Sequence, residues 1–250
     1  MGALEFDDVV FGYGSGLLFD GFSASFPKGS ISCIVGPNGC GKSTLAKLAM
    51  GLVKPTSGRV CVAGRDVSSL AARDRARLLG VLVQQQEAPM MTARELVACG
   101  RFPCCGSFSR LSRDDEERID EALLLAGVSK LRDRSLQSLS GGQRQRVRMA
   151  MVLAQDTPIV LLDEPTSFMD VAACFDMARL IRQVRQRGKT VIAVIHDLNL
   201  ALSVADQVFV MERGRLVAQG EPNDGGVRAA IEQSFGVRLE HVQTSYGTAW

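Results

Sequence analysis

"SISCIVGPNGCGKSTLAKLAM", residues 30–50, decides the fold. Its first six residues are a continuous apolar run of strand length, and "LAKLAM" at its end has helical character. Between them "GPNGCGKST", Gly36 to Thr44, fits G-x-x-x-x-G-K-[ST] in the strand–loop–helix setting that this pattern needs. Glycines let backbone N–H groups turn inward around phosphates, and the helix start adds its partial positive charge. Gly36, Pro37, Asn38, Gly39, Cys40, Gly41, Lys42, Ser43 and Thr44 are therefore expected to cradle a nucleotide. Lys42 would reach the β- and γ-phosphates, and the Ser43 hydroxyl would ligate Mg2+. Cys40, near a helix start and Lys42, is expected to be a reactive thiol.

Two more runs of the same kind lie further along, "PIVLLD" (158–163) and "TVIAVIH" (190–196). Continuous apolar strands without a polar face belong to a mostly parallel sheet covered on both sides. Each ends in a chemically useful group at the edge where open α/β sheets bind ligands. Asp163 is the candidate for holding Mg2+ through its water shell, Glu164 for polarising an attacking water, and His196 for a role at the same edge. An acidic pair that solubilises a strand end, or a histidine satisfied within the structure, are the plain alternatives. His241, in the tail, has only the plain reading.

Outside these runs the pattern changes twice. "ALEFDDVVFGY", "LLFDGFSASFPKG" and "GRVCVAG" alternate apolar and polar residues, as an antiparallel β layer does. From about 85 to 157 no convincing strand is visible, and Ser112 with Asp115 makes a capping-box start to a helix, so this stretch reads as a helical insertion. Residues 171–187 place Met177, Leu180, Ile181 and Val184 on one helical face, with Asp170 as N-cap and Gly188 beyond the end. After about 220 a short tail remains, with weak periodicity. The fold class is α/β, a nucleotide-binding region over 1–220 carrying the insertion, followed by a tail over 221–250.

With 250 residues, 46% hydrophobic and 22% charged, the chain has the composition of an ordinary globular protein, long enough for a core plus a subdomain. A net charge of +2 argues against a nucleic-acid partner; Arg132, Arg134, Arg144, Arg146 and Arg148 read as a solvated helix face. "MGALEFDDVV" has no secretory pattern, and "ALLLAGV" and "VIAVI" fall far short of the roughly 18 residues of a membrane span. Seven cysteines are read as reduced thiols, and the adjacent pair Cys104 and Cys105 lacks metal-site spacing.

One further stretch, "LSGGQ" (Leu139 to Gln143), completes a set. Glycine loop, "LSGGQ", "LLDEP" and a strand-end histidine, in that order, resemble the nucleotide-binding subunits of ABC transporters from Tyr13 to about Gly220. The resemblance implies ATP and Mg2+ as ligands, and a P-loop ATPase core with an antiparallel β subdomain and an inserted helical subdomain. It also implies roles by position. Tyr13 would stack on adenine, unless it is simply a strand tyrosine. Gln84, first of three glutamines, would touch Mg2+ and the lytic water. Asp170 would be the acid of the "SFMD" loop, where Phe168 and Met169 are bulkier than usual, and His196 would contact the γ-phosphate. Ser140, Gly141, Gly142 and Gln143 would meet the ATP held by a second copy of the chain, paired head to tail. "TARELVACGRFP" and "HDLNLA" are similar to the ATPases of iron-siderophore, haem and cobalamin importers. That implies integral membrane permease subunits, a substrate-binding protein and a place on the cytoplasmic face of the membrane. Zinc or manganese importers, a soluble ABC protein acting in translation or DNA repair, and a non-hydrolysing regulatory module are the alternatives.

Overall fold

The structure, a computed structural model, describes residues 2–14, 16–83, 88–105, 111–167 and 169–240, with the backbone alone at 242–244 and 247–249. The alternating stretches at the start pair as β1 (Leu4–Tyr13) and β2 (Gly16–Phe26); β3 (Ile31–Val35) and α1 (Lys42–Ala49) then flank the glycine loop. β4 (Ser57–Val62) and β5 (Arg65–Asp66) rejoin the first pair in an antiparallel sheet of order β2-β1-β4-β5. Next come α2 (Ala72–Ala76) and β6 (Leu79–Leu82). α3 (Ala93–Cys99), α4 (Arg113–Leu125) and α5 (Gly141–Ala154) follow, and no named strand interrupts them among the described residues before β7 (Ile159–Asp163). α6 (Val171–Gln186), β8 (Thr190–Val194), α7 (Leu198–Val204), β9 (Gln207–Glu212), β10 (Arg215–Gly220) and α8 (Gly225–Phe235) close the main body. A hairpin of β11 (Val242–Thr244) and β12 (Gly247–Ala249) comes last.

The second sheet has the order β10-β9-β3-β8-β7-β6 and is parallel except between β9 and β10. Every residue of β3, β7 and β8 is buried. Because side chains alternate between the faces of a strand, each of the three feeds two cores. Cys33, Val35, Val160, Leu162, Val191 and Ala193 pack with α3 to α8 on one side. Ile34, Ile159, Leu161, Ile192 and Val194 pack with α1 and the antiparallel sheet on the other. That double burial is why these segments are apolar at all positions but Ser32, Asp163 and Thr190. Each large side chain so buried contributes about 1.5–3 kcal/mol.

Helix ends follow the local signals. Ser112 and Asp115 form the capping box of α4, and the Asp170 side chain accepts from the Ala173 N–H at 2.8 Å to start α6. α6 buries Met177, Leu180, Ile181 and Val184 and stops before Gly188, whose φ is 81°. Two features depart from expectation. The tail forms α8, begun by Asp224, with Val227 and Ile231 buried and Ala230 and Phe235 half-buried against the same core. Of the arginine run only Arg134 is exposed; Arg132, Arg144, Arg146 and Arg148 are half-buried. Arg144 donates to the Leu139 carbonyl at 2.7 Å, Arg132 pairs with Asp120 at 3.3 Å, and Arg146 pairs with Asp176 across to α6.

Candidate functional site

β3, β8 and β7 are neighbours in that order, with Ile34, Val194 and Asp163 level in the ladder. Their carboxyl ends therefore deliver the glycine loop, His196 and the pair Asp163–Glu164 to one edge of the sheet. Backbone geometry holds the loop. Gly41 has φ 110°, and a Cβ there would lie 2.7 Å from Phe19 Cε1; at Gly36 a Cβ would collide with the Met211 carbonyl. The Cys40 carbonyl accepts from the Gly214 N–H at 3.1 Å, tying the loop to the β9–β10 turn. Lys42 is buried, and its Nζ donates to the Gly36 and Pro37 carbonyls at 2.7 and 2.9 Å, bridging the loop from inside. Cys40 is only 4% exposed, its Sγ 3.8 Å from that Nζ. Reactive cysteines are partly exposed, so this burial works against the reactivity expected from the sequence.

Opposite the loop, Ser43 Oγ donates to Asp163 Oδ1 at 3.3 Å. Burial pushes the Asp163 carboxyl up from its ordinary range, the Glu164 charge pushes the same way, and the Ser43 hydroxyl, His196 and Lys42 oppose them. Two adjacent carboxylates and a hydroxyl at a partly desolvated edge are hard oxygen donors with excess negative charge, a set suited to a small dication. Glu164 is held in an unusual backbone conformation, φ 53°, by its N–H donating to the Val194 carbonyl at 3.1 Å. Its Oε1 is 2.5 Å from His196 Nε2, and its Oε2 accepts from Ser167 Oγ at 2.9 Å. Ser167 was not singled out in the sequence. Its signal is the spacing of three from Glu164 across Pro165, a turn closed by Ser167 N–H donating to the Glu164 carbonyl at 3.2 Å.

Tyr13, at the end of β1, is 51% exposed. Its hydroxyl is 3.5 Å from Thr44 Oγ1, Phe11 meets the ring edge-on at 5.0 Å, and Lys47 Nζ sits 5.8 Å above it. Ser140 to Gln143 lie elsewhere. Ser140 caps α5, with its hydroxyl accepting from Gln143 N–H at 3.2 Å and Gln143 Oε1 accepting from Ser140 N–H at 3.0 Å. With Asp170 and Ala173 these residues line an open cleft of about 930 Å³ to which no residue of 36–44 contributes. One chain thus gathers Lys42, Ser43, Asp163, Glu164 and His196 at one edge, with Tyr13 beside Thr44, and keeps Ser140, Gly141, Gly142, Gln143 and Asp170 apart. Gln84, Phe168 and His241 lie outside the described residues.

Comparison with known proteins places the chain among similar sequences and folds. Residues 19–167 match the family described as ABC transporter. The ferric enterobactin transport ATP-binding protein FepC of Escherichia coli (strain K12) is 39% identical over 237 residues, covering 94% of this chain and 88% of that protein. The achromobactin transport ATP-binding protein CbrD of Dickeya dadantii (strain 3937) is 42% identical over 237 residues, with the same coverage of 94% and 88%. Among solved structures, a dimeric ATP-binding cassette in a post-hydrolysis state with ADP and Pi superimposes with a TM-score of 0.77. It is 26% identical, and the match covers 88% of this chain and 99% of that one.

Proposed function

The chain belongs to the ABC transporter family of ATP-binding proteins, and from that premise we propose that it hydrolyses ATP to power uptake of an iron chelate through separate permease subunits. The observation that carries the catalytic part is the convergence of Lys42, Ser43, Asp163, Glu164 and His196 on the carboxyl edge of three adjacent parallel strands. The cargo part draws on the siderophore transport named in the relatives.

In this reading the loop N–H groups and Lys42 bind the β- and γ-phosphates, and the half-exposed Tyr13 ring stacks on adenine. Ser43 and Asp163, with Gln84, would hold Mg2+, which when bound neutralises charge on the phosphate oxygens. Glu164 orients and polarises the water that attacks the γ-phosphorus. His196 leaves Glu164 to contact the γ-phosphate, so the 2.5 Å contact is the resting partner of that switch. Ser140 to Gln143 and Asp170 act on the ATP of a second copy, which accounts for their separation from the loop within one chain. Residues 1–220 form the nucleotide-binding domain with its helical insertion over 85–157, and 221–250 a tail packed on it through Val227 and Ile231. Among the described residues no helix is long and apolar enough to cross a membrane. Passage of the chelate falls to permease subunits, fed by a substrate-binding protein, with this chain on their cytoplasmic face.

The test is purification with co-expressed permease subunits and reconstitution into vesicles. ATP-dependent uptake of a ferric siderophore is expected, and Glu164→Gln should lower ATP turnover about 10²–10⁴-fold while ATP binding persists. Turnover at the wild-type rate in Glu164→Gln would overturn the catalytic reading; vigorous uptake of free zinc or manganese with none of ferric chelates would overturn the cargo.

A further inference from the structure

We propose that Ser167 is a positioning residue for the hydrolysis step: its hydroxyl anchors Glu164 Oε2, so that Oε1 is the oxygen turned toward the attacking water. The proposal rests on Glu164 acting as described above. A carboxylate on a free Glu side chain rotates about its last bond with little preference, and its two oxygens are equivalent. Here they are not. Oε2 accepts from Ser167 Oγ at 2.9 Å, within the same turn, whereas Oε1 faces His196 Nε2 at 2.5 Å, from another strand end. The two partners also differ in how firmly they are fixed. Ser167 is bound to Glu164 twice, by the hydroxyl and by its N–H donating to the Glu164 carbonyl at 3.2 Å. That turn begins at the φ of 53° imposed on Glu164, and the Glu164 N–H is itself anchored on the Val194 carbonyl. The His196 side chain is 44% exposed whereas Ser167 is half-buried, so the imidazole is the more accessible partner. When it swings away, the Ser167 bond keeps the carboxylate from rotating.

The test compares Ser167→Thr with Ser167→Val, nearly isosteric side chains that differ in the hydroxyl and leave the backbone turn bond in place. ATP turnover is measured with ATP binding by equilibrium dialysis and the thermal midpoint. Loss of a hydrogen bond to a charged group is expected to lower kcat about tenfold in Ser167→Val, with KM for ATP within about twofold and Ser167→Thr restoring most of the rate. Ser167→Ala should match Ser167→Val, which separates the hydroxyl from any effect of branching. Equal kcat in the Thr and Val variants, or a loss that appears only in KM, would overturn the assignment. Glu164→Gln is run alongside: if it turns over ATP like the wild type, the reading of Glu164 has failed; if it is inactive while Ser167→Val is fully active, only the role of Ser167 has failed.

Discussion

At the scale of single residues, Cys40 shows how context reverses a reading from neighbours alone. Its place before Lys42 and a helix start favours reactivity, but the side chain is 4% exposed and packed beneath the loop, whereas Cys104 is exposed. In the native protein iodoacetamide should therefore label Cys104 well before Cys40, and ATPase loss should track the slow Cys40 reaction, which bound nucleotide slows further. Peptide mass spectrometry against time and activity checks this; Cys40 labelled first would refute it. The place of Lys42 was legible from the glycine-loop pattern, and those of Asp163, Glu164 and His196 because a strand end dictates where a side chain goes. The bond from Ser167 was not, because it depends on the turn that Glu164 enters at φ 53°. The partners of Arg144 and Arg146 were likewise hidden, since one is a carbonyl and the other lies on α6, 30 residues away.

Among the elements, the helical insertion is pinned by one buried ion pair. Arg101, just past α3, donates through Nε to Asp115 Oδ1 at 2.8 Å and through Nη1 to the Ala154 carbonyl at 2.7 Å. Asp115 is also the capping-box residue of α4, so this pair joins the start of α4, the end of α5 and the turn after α3. The Ser112 hydroxyl first, then the Ser112 N–H and the Arg101 guanidinium, hold the Asp115 carboxyl well below its ordinary 3.8. A lowered folded-state value means that the stabilisation is fully present above the ordinary value and is lost as pH falls below it. Asp115→Asn should cost about 3 kcal/mol in urea unfolding at neutral pH, by leaving a buried guanidinium without its carboxylate. It should also flatten the loss of stability below about pH 4. An unchanged neutral-pH midpoint would contradict the first part, and a wild-type acid limb the second. The capping box and the face of α6 were plain in the sequence, being encoded within four and eight residues. Arg101 was not, because Asp115 and the Ala154 carbonyl come from two separate elements, 14 and 53 residues away.

Across the whole molecule, the proposed function asks a second copy to join Ser140 to Gln143 to the glycine loop, since within one chain no residue of 36–44 lines their cleft. Ser140→Arg places a long cation at the exposed N-cap of α5, in the cleft with Asp170. It should leave ATP affinity of the isolated chain within about twofold and remove ATP-dependent dimerisation and hydrolysis together, as linkage requires. Analytical ultracentrifugation with ATP in an inactive Glu164→Gln background measures the first effect, and full dimerisation of the double variant would refute it. One property of the sheet reaches further. β3, β7 and β8 lend alternate residues to two cores, so opening them costs contacts in both and their amide hydrogens are expected to exchange slowly. α3 and α4 touch one core and can open alone. Hydrogen–deuterium exchange should therefore find the amides of β7, which leads into Asp163 and Glu164, slower than those of α3 and α4, and equal rates would refute it.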